Sequence, residues 1–146
     1  MANTGYILML ESDTHDVEMS SEYFNALQIP AKFLTQSNEV FAFLTEAFAN
    51  NEILPAIILL SMHSAPDNGL EVLKQIKSDK RFKHIPVIVL GEYTQPELVQ
   101  KCYHEGANTF INKPFTNQLT DMKITSFLNY WFEVAELAGD HKLQYV

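Results

Sequence analysis

The chain predicts an α/β fold: a doubly wound, five-stranded parallel sheet with helices on both faces. Three observations predict it. Short apolar runs alternate with longer segments of helical periodicity five times along the 146 residues. The runs are continuously apolar, as strands covered on both faces require, and do not alternate with polar residues. Cap and breaker residues stand between successive segments, so each run and each helix is separately bounded.

Taken in order, Tyr6 to Leu10 reads as a buried strand. Asp13 and Thr14 can cap a helix from about His15 to Leu27, with Met19, Tyr23, Phe24 and Leu27 as its apolar face and Pro30 as its stop. Ala31 to Leu34 is a second strand. Ser37 and Asn38 offer the next cap, and Val40, Phe41, Phe43, Leu44, Ala47 and Phe48 recur at helical spacing to about Ala49. Ile57 to Leu60 is a third strand. Asn68-Gly69 marks a turn into a helix carried by Leu70, Val72, Leu73 and Ile76. Pro86 to Leu90 is a fourth strand. Pro96 suits a first helical turn, and Gly106 closes that helix after Leu98, Val99, Cys102 and Tyr103. Thr109 to Ile111 is a fifth strand. A last helix begins near Thr116 and extends to about residue 138, leaving a short tail.

Composition narrows the function. Hydrophobic residues make up 47% and charged residues 19%, which describes one globular domain over residues 1–146. Eighteen acidic residues against ten basic ones give a net charge of -8, which argues against a nucleic-acid-binding surface. The basic residues Lys74, Lys77, Lys80, Arg81 and Lys83 gather in one stretch, expected to be a solvated helix end and loop. No apolar run reaches the roughly 20 residues that span a bilayer, and the first residues lack a signal-peptide pattern. Cys102 is the single cysteine, so no internal disulfide forms, and a reducing cytoplasm is the expected location. The histidines (15, 63, 84, 104 and 141) show no metal-ligand spacing and are expected on surfaces or loops.

In a doubly wound sheet, function sits at the carboxyl ends of the strands. Those ends read Glu11-Ser12-Asp13, Ser61-Met62-His63, Gly91-Glu92 and Asn112-Lys113-Pro114. The segment PAIILLSMHSAPDNGLEVL from Pro55 to Leu73, the strand IPVIVL from Ile85 to Leu90, and GANTFINKP from Gly106 to Pro114 resemble, in order and spacing, the receiver domain of two-component response regulators. The resemblance covers residues 5 to 130 or thereabouts and implies the flavodoxin-like receiver fold. Leu128-Asn-Tyr-Trp131 is similar to small stand-alone regulators paired with phytochrome kinases.

The resemblance implies a set of site positions. In that family, acids after the first strand and an acceptor aspartate at the third bind Mg²⁺, a lysine after the fifth strand neutralises the phosphoryl group, and a hydroxyl after the fourth strand and an aromatic on the fifth form a switch. Glu11 and Ser12 fall at the acidic pair, with Asp13 one residue out of register. Ser61 falls at the acceptor, Gly91 at the hydroxyl switch, Phe110 at the aromatic and Lys113 at the lysine. Serine at position 12, serine at position 61 and glycine at position 91 thus remove a carboxylate, the nucleophile and a phosphate ligand. A carboxylate is a nucleophile at neutral pH, whereas a serine hydroxyl needs an adjacent base. With few carboxylates, Mg²⁺ binding is expected to be poor, and no cofactor or metal is expected. Lys113 is expected to pair with Glu11 or to shape the Lys-Pro loop through a cis bond.

The expected function is therefore a degenerate, non-enzymatic receiver of two-component signalling that is not phosphorylated. It acts through protein contacts with a histidine kinase or a downstream signalling protein. A homodimer through the last helix and fifth strand is a further expectation, since Phe127, Tyr130, Trp131 and Val134 crowd that helix. The alternative is a phosphotransfer-competent receiver that uses Ser61 or another acceptor with Mg²⁺.

Overall fold

The computed structural model describes residues 5–92, 94–112 and 117–137. Its elements run β1 (Ile7–Leu10), α1 (Thr14–Ala26), β2 (Ala31–Leu34), α2 (Asn38–Ala49), β3 (Ile57–Ser61), α3 (Gly69–Lys77), β4 (Val87–Gly91), α4 (Pro96–His104), β5 (Thr109–Asn112) and α5 (Asn117–Asn129). A π-helical turn, Tyr130–Val134, continues α5. The five strands form one parallel sheet in the order β2-β1-β3-β4-β5. The expected doubly wound architecture is the observed one.

Alternation along each strand builds two cores, because successive side chains point to opposite faces of a sheet. Leu8, Leu10, Ile58, Leu60, Val87 and Val89 face α2, α3 and α4, where Val40, Leu44, Leu73, Ile76 and Cys102 meet them. Ile7, Met9, Ile57, Leu59, Ile88 and Leu90 face α1 and α5, where Phe24, Phe127 and Leu128 meet them. Every residue of β1 is buried, which is why its sequence carries no polar alternation.

The caps explain where helices begin. Asp13 caps α1, its side chain accepting from the Asp16 N–H, and Asn68 caps α3 by accepting from the Glu71 N–H at 3.1 Å. Ser37 stands before α2 but does not cap it: its hydroxyl accepts from the Asp67 N–H at 2.8 Å, while its own N–H donates to the Ala65 carbonyl. That reciprocal pair ties the start of α2 to the loop after β3. The loop contains a cis Ala65-Pro66 bond, and Lys113-Pro114, where a cis bond was expected, lies outside the described residues. Gly69 is demanded by close approach, since a Cβ there would lie 2.8 Å from the Ser61 carbonyl oxygen and 3.0 Å from Met62 Cα. Gly106 has φ +106°, the left-handed conformation that closes α4.

Two further expectations are corrected. The last helix stops at Val134, short of 138, because the Ala135 N–H closes a wide turn onto the Tyr130 carbonyl and Ala135 itself is extended. The basic stretch is not simply solvated. Lys77 Nζ donates to the carbonyls of Lys83 (3.0 Å) and Ile85 (2.8 Å) and to Asn108 Oδ1 (3.2 Å), and burial pushes its ammonium pKa down. Arg81 pairs with Asp79 at 2.8 Å and lies over the Phe41, Phe48 and Phe82 rings. Aromatic faces and carbonyls on neighbouring elements, invisible in a linear pattern, draw both cations inward. Among the described residues no helix is long and apolar enough to cross a membrane.

Candidate functional site

Parallel pairing sets the carboxyl ends of β1, β3 and β4 side by side. Leu10 pairs with Leu60, so Glu11 and Ser61 stand one residue beyond that pair on adjacent strands. Ser61 pairs with Leu90, which brings Gly91 to the same rim, and Gly91 pairs with Asn112. The sheet order reverses between β1 and β3, and a crevice opens at such a switch point.

That crevice is a cleft of about 250 Å³ lined by Glu11, Ser12, Asp13, Asp16, Ser61, His63, Leu90, Gly91 and Glu92. Four positions expected from sequence, Glu11, Ser12, Ser61 and Gly91, are brought together here. Phe110 approaches from β5 with its ring tip toward Gly91. Lys113 lies outside the described residues, so its expected pairing with Glu11 does too. Asp16 was not anticipated here, whereas His63 and Glu92, strand-end residues expected to be exposed, are exposed and line the cleft. Asp16 follows the Asp13 cap by three residues, a helical spacing that turns both toward one side, and this was the signal available in sequence.

The side chains are already engaged in local structure. Glu11 is only 3% exposed, and its Oε2 accepts from the Asp13 N–H at 3.2 Å. Asp13 is committed as the helix cap. The exposed His63 has its Nε2 3.5 Å from the Glu92 carbonyl oxygen. Four carboxylates line the cleft, and among its described lining residues there is no lysine or arginine. Among the described residues no three His, Cys, Asp or Glu side chains are placed to hold a metal ion together. A neutral hydroxyl, that of Ser61, stands at the end of β3, and a hard cation prefers carboxylate oxygens to a hydroxyl.

The comparisons with known proteins agree with this fold. The family model described as the response regulator receiver domain matches residues 10–124. The chain is 31% identical over 78 residues to a probable methanogenesis regulatory protein, FilR2, of Methanothrix harundinacea, covering 53% of this chain and 50% of that one. It is 35% identical over 68 residues to the chemotaxis protein CheY1 of Helicobacter pylori, covering 46% and 55%. It is 30% identical over 81 residues to the two-component response regulator ARR9 of Arabidopsis thaliana, covering 55% and 34%. The matches thus span about half or less of these relatives' lengths. Among solved structures, the Mn²⁺-bound form of response regulator Rcp1 superposes with a TM-score of 0.84 at 24% identity, covering 91% of this chain and 98% of that one. The phosphorylated cyanobacterial phytochrome response regulator RcpA gives 0.85 at 24%, covering 93% and 99%. At that identity the structural likeness speaks to the fold, and the family match over most of the chain settles membership: this chain belongs to the response regulator receiver domain family.

Proposed function

We propose that this receiver domain is a signalling module that does not cycle through an aspartyl phosphate and acts by protein–protein contact. The observation that carries the reading is Ser61 at the end of β3, inside a cleft whose acids are not gathered into a metal site among the described residues. A serine hydroxyl attacks a phosphoryl group only with a base to take its proton. The nearest imidazole, His63, is exposed and directed to the Glu92 carbonyl. On this reading the domain has no enzymatic activity and takes no Mg²⁺. Its partners are a histidine kinase or a downstream signalling protein, and its location is the cytoplasm.

The contact surface we assign is the face of α4, β5 and α5. Phe127 and Leu128 pack on the sheet, whereas Met122 (60% exposed), Tyr130 (53%) and Val134 (68%) remain outside. A groove lined by Phe110, Ile111, Met122, Lys123 and Phe127 runs between β5 and α5. A second copy of the chain is one occupant this face could take. The net charge of -8 disfavours nucleic acid.

The test is an amide NMR titration with Mg²⁺ and beryllofluoride, an acyl-phosphate mimic, run on the natural protein and on Ser61→Asp. The expected result is no shift around Ser61 and Gly91 in the natural protein and a Mg²⁺-dependent shift in Ser61→Asp. Shifts in the natural protein that extend from the cleft to Phe110 would show a working phosphoryl site and sink the reading.

A further inference from the structure

The glycine at the end of β4 is not a gap. A Cβ built on Gly91 would collide with Thr94 Oγ1 and would lie 2.9 Å from Phe110 Cζ and 3.3 Å from Phe110 Cε1. Real side-chain carbons do not sit at 2.9 Å from a ring atom. The volume that any larger residue would fill is therefore already held by two side chains, one from the loop before α4 and one from β5.

Thr94 is there without a bond to hold it. Its Oγ1 is fully buried and has no hydrogen-bond partner among the described residues. Burying an unpaired hydroxyl is unfavourable, and an exception of this kind calls for an explanation. Phe110, in turn, connects two places. Its tip reaches Gly91 at the rim of the acidic cleft, and it packs on the α2–α4 core. It also lines the outer groove with Thr109, Ile111, Met122, Lys123, Ser126 and Phe127. Wherever the ring sits, it shapes that groove.

We infer that Thr94 and Phe110 form a steric lock over Gly91. The missing Cβ admits the ring tip, the Thr94 side chain closes over the remaining space, and the ring is held inward. The β5–α5 groove is then fixed in one shape, whatever happens at Ser61. The lock deepens the proposed function and rests on its claim that output is independent of phosphoryl transfer. The hydroxyl of Thr94 plays no polar part in it, so its size matters and its oxygen does not.

The experiment follows the Phe110 ring by NMR in the full chain. The natural protein should show cross-peaks from the ring to the Gly91 α-protons and to Thr94, with no microsecond-to-millisecond exchange at the ring. Gly91→Ala should abolish the Gly91 and Thr94 cross-peaks and shift the Met122 and Phe127 signals. Thr94→Val should keep the ring contacts and raise the unfolding midpoint, because shape is kept and an unpaired oxygen is removed. Thr94→Gly, which adds nothing to the site, should introduce ring exchange. This variant decides the matter if Gly91→Ala does not fold. A ring that exchanges between two positions in the natural protein, or one left unmoved by both Gly91→Ala and Thr94→Gly, would overturn the lock. Adding Mg²⁺ and beryllofluoride separates the two claims. Shifts at Ser61 with a motionless Phe110 would end the phosphate-independent reading and leave the lock standing.

Discussion

The two ends of the sheet handle polar groups in opposite ways. At the amino ends of β4 and β5, Lys77 reaches from the last turn of α3 and gives its ammonium to three acceptors, one of them Asn108 Oδ1. That same oxygen accepts from the Val87 N–H at 2.9 Å, so one amide side chain fastens β4, the start of β5 and α3 together. At the carboxyl ends, four carboxylates share a cleft with no lysine or arginine among its described lining residues, and a neighbouring hydroxyl is buried with no partner among the described residues. Buried polar groups that are matched within the fold hold it together. A buried hydroxyl without a partner among the described residues, as at Thr94, contributes no such hold.

If that contrast is right, the amino end should be the costly one to disturb. Asn108→Ala removes an acceptor from both Lys77 and Val87, and should lower unfolding stability by about 2–3 kcal/mol in urea titrations. A loss under about 0.5 kcal/mol would show that the network adds little. Gly69→Ala sharpens the comparison at the carboxyl end, because it pushes on backbone and not on a charge. With the Ser61 carbonyl 2.8 Å from the new carbon, it should cost about 2 kcal/mol and shift the Ser61 and Met62 amides.

Ser61→Asp adds one more negative charge to the acidic cleft and should destabilise by about 1 kcal/mol at low ionic strength. Added salt should recover most of that loss, and a loss independent of salt would mean that sterics, not charge, governs the cleft. Tyr6, just ahead of β1, offers a pH test at the amino end. Its hydroxyl donates to the Ile53 carbonyl at 3.0 Å, and burial, then the Glu52 charge, pushes its pKa up to about 12. The folded pKa lies above the ordinary value of 10.0, so the neutral phenol's contribution is complete below pH 10 and is lost as pH rises through 12. Ultraviolet titration should place phenolate formation at Tyr6 in that window, and Tyr6→Phe should flatten the stability profile there. The smallest effect belongs to the exposed Glu71–Lys74 pair at 3.5 Å: Glu71→Gln should change stability by less than about 0.5 kcal/mol.

Much of the fold was legible because this chain states its rules locally. Continuous apolar runs such as Ile57 to Leu60, short and flanked by breakers, read as strands buried on both faces, and Asp13, Asn68, Pro96 and Gly106 bound helices by backbone chemistry that reads directly from residue type. Glu11, Ser12, Ser61 and Gly91 were legible as a set because strand ends in a parallel sheet meet at one rim and because the resemblance to receiver domains picks out those positions. What stayed hidden depended on side-chain direction across long sequence separations. Lys77 looked like a solvated lysine until Asn108, 31 residues away, was placed beside it. Ser37 looked like a helix cap until Asp67 took its hydroxyl. Gly91 looked like a simple loss until Thr94 and Phe110 were found in its space, and no periodicity reports which side chain leans over a glycine.

The outer strand carries one more consequence. An edge strand presents free backbone groups that another chain can extend as a further strand. On β5 the Phe110 N–H is taken by the Tyr103 hydroxyl at 2.9 Å, and the Asn112 carbonyl is taken by Lys123 Nζ at 2.8 Å. Side chains from the two flanking helices thus cover a donor and an acceptor on that edge. A protein that docks here meets a surface of side chains, read by shape and apolar fit. Strand-to-strand growth, the common route from an edge to aggregation, is obstructed by a tyrosine and a lysine.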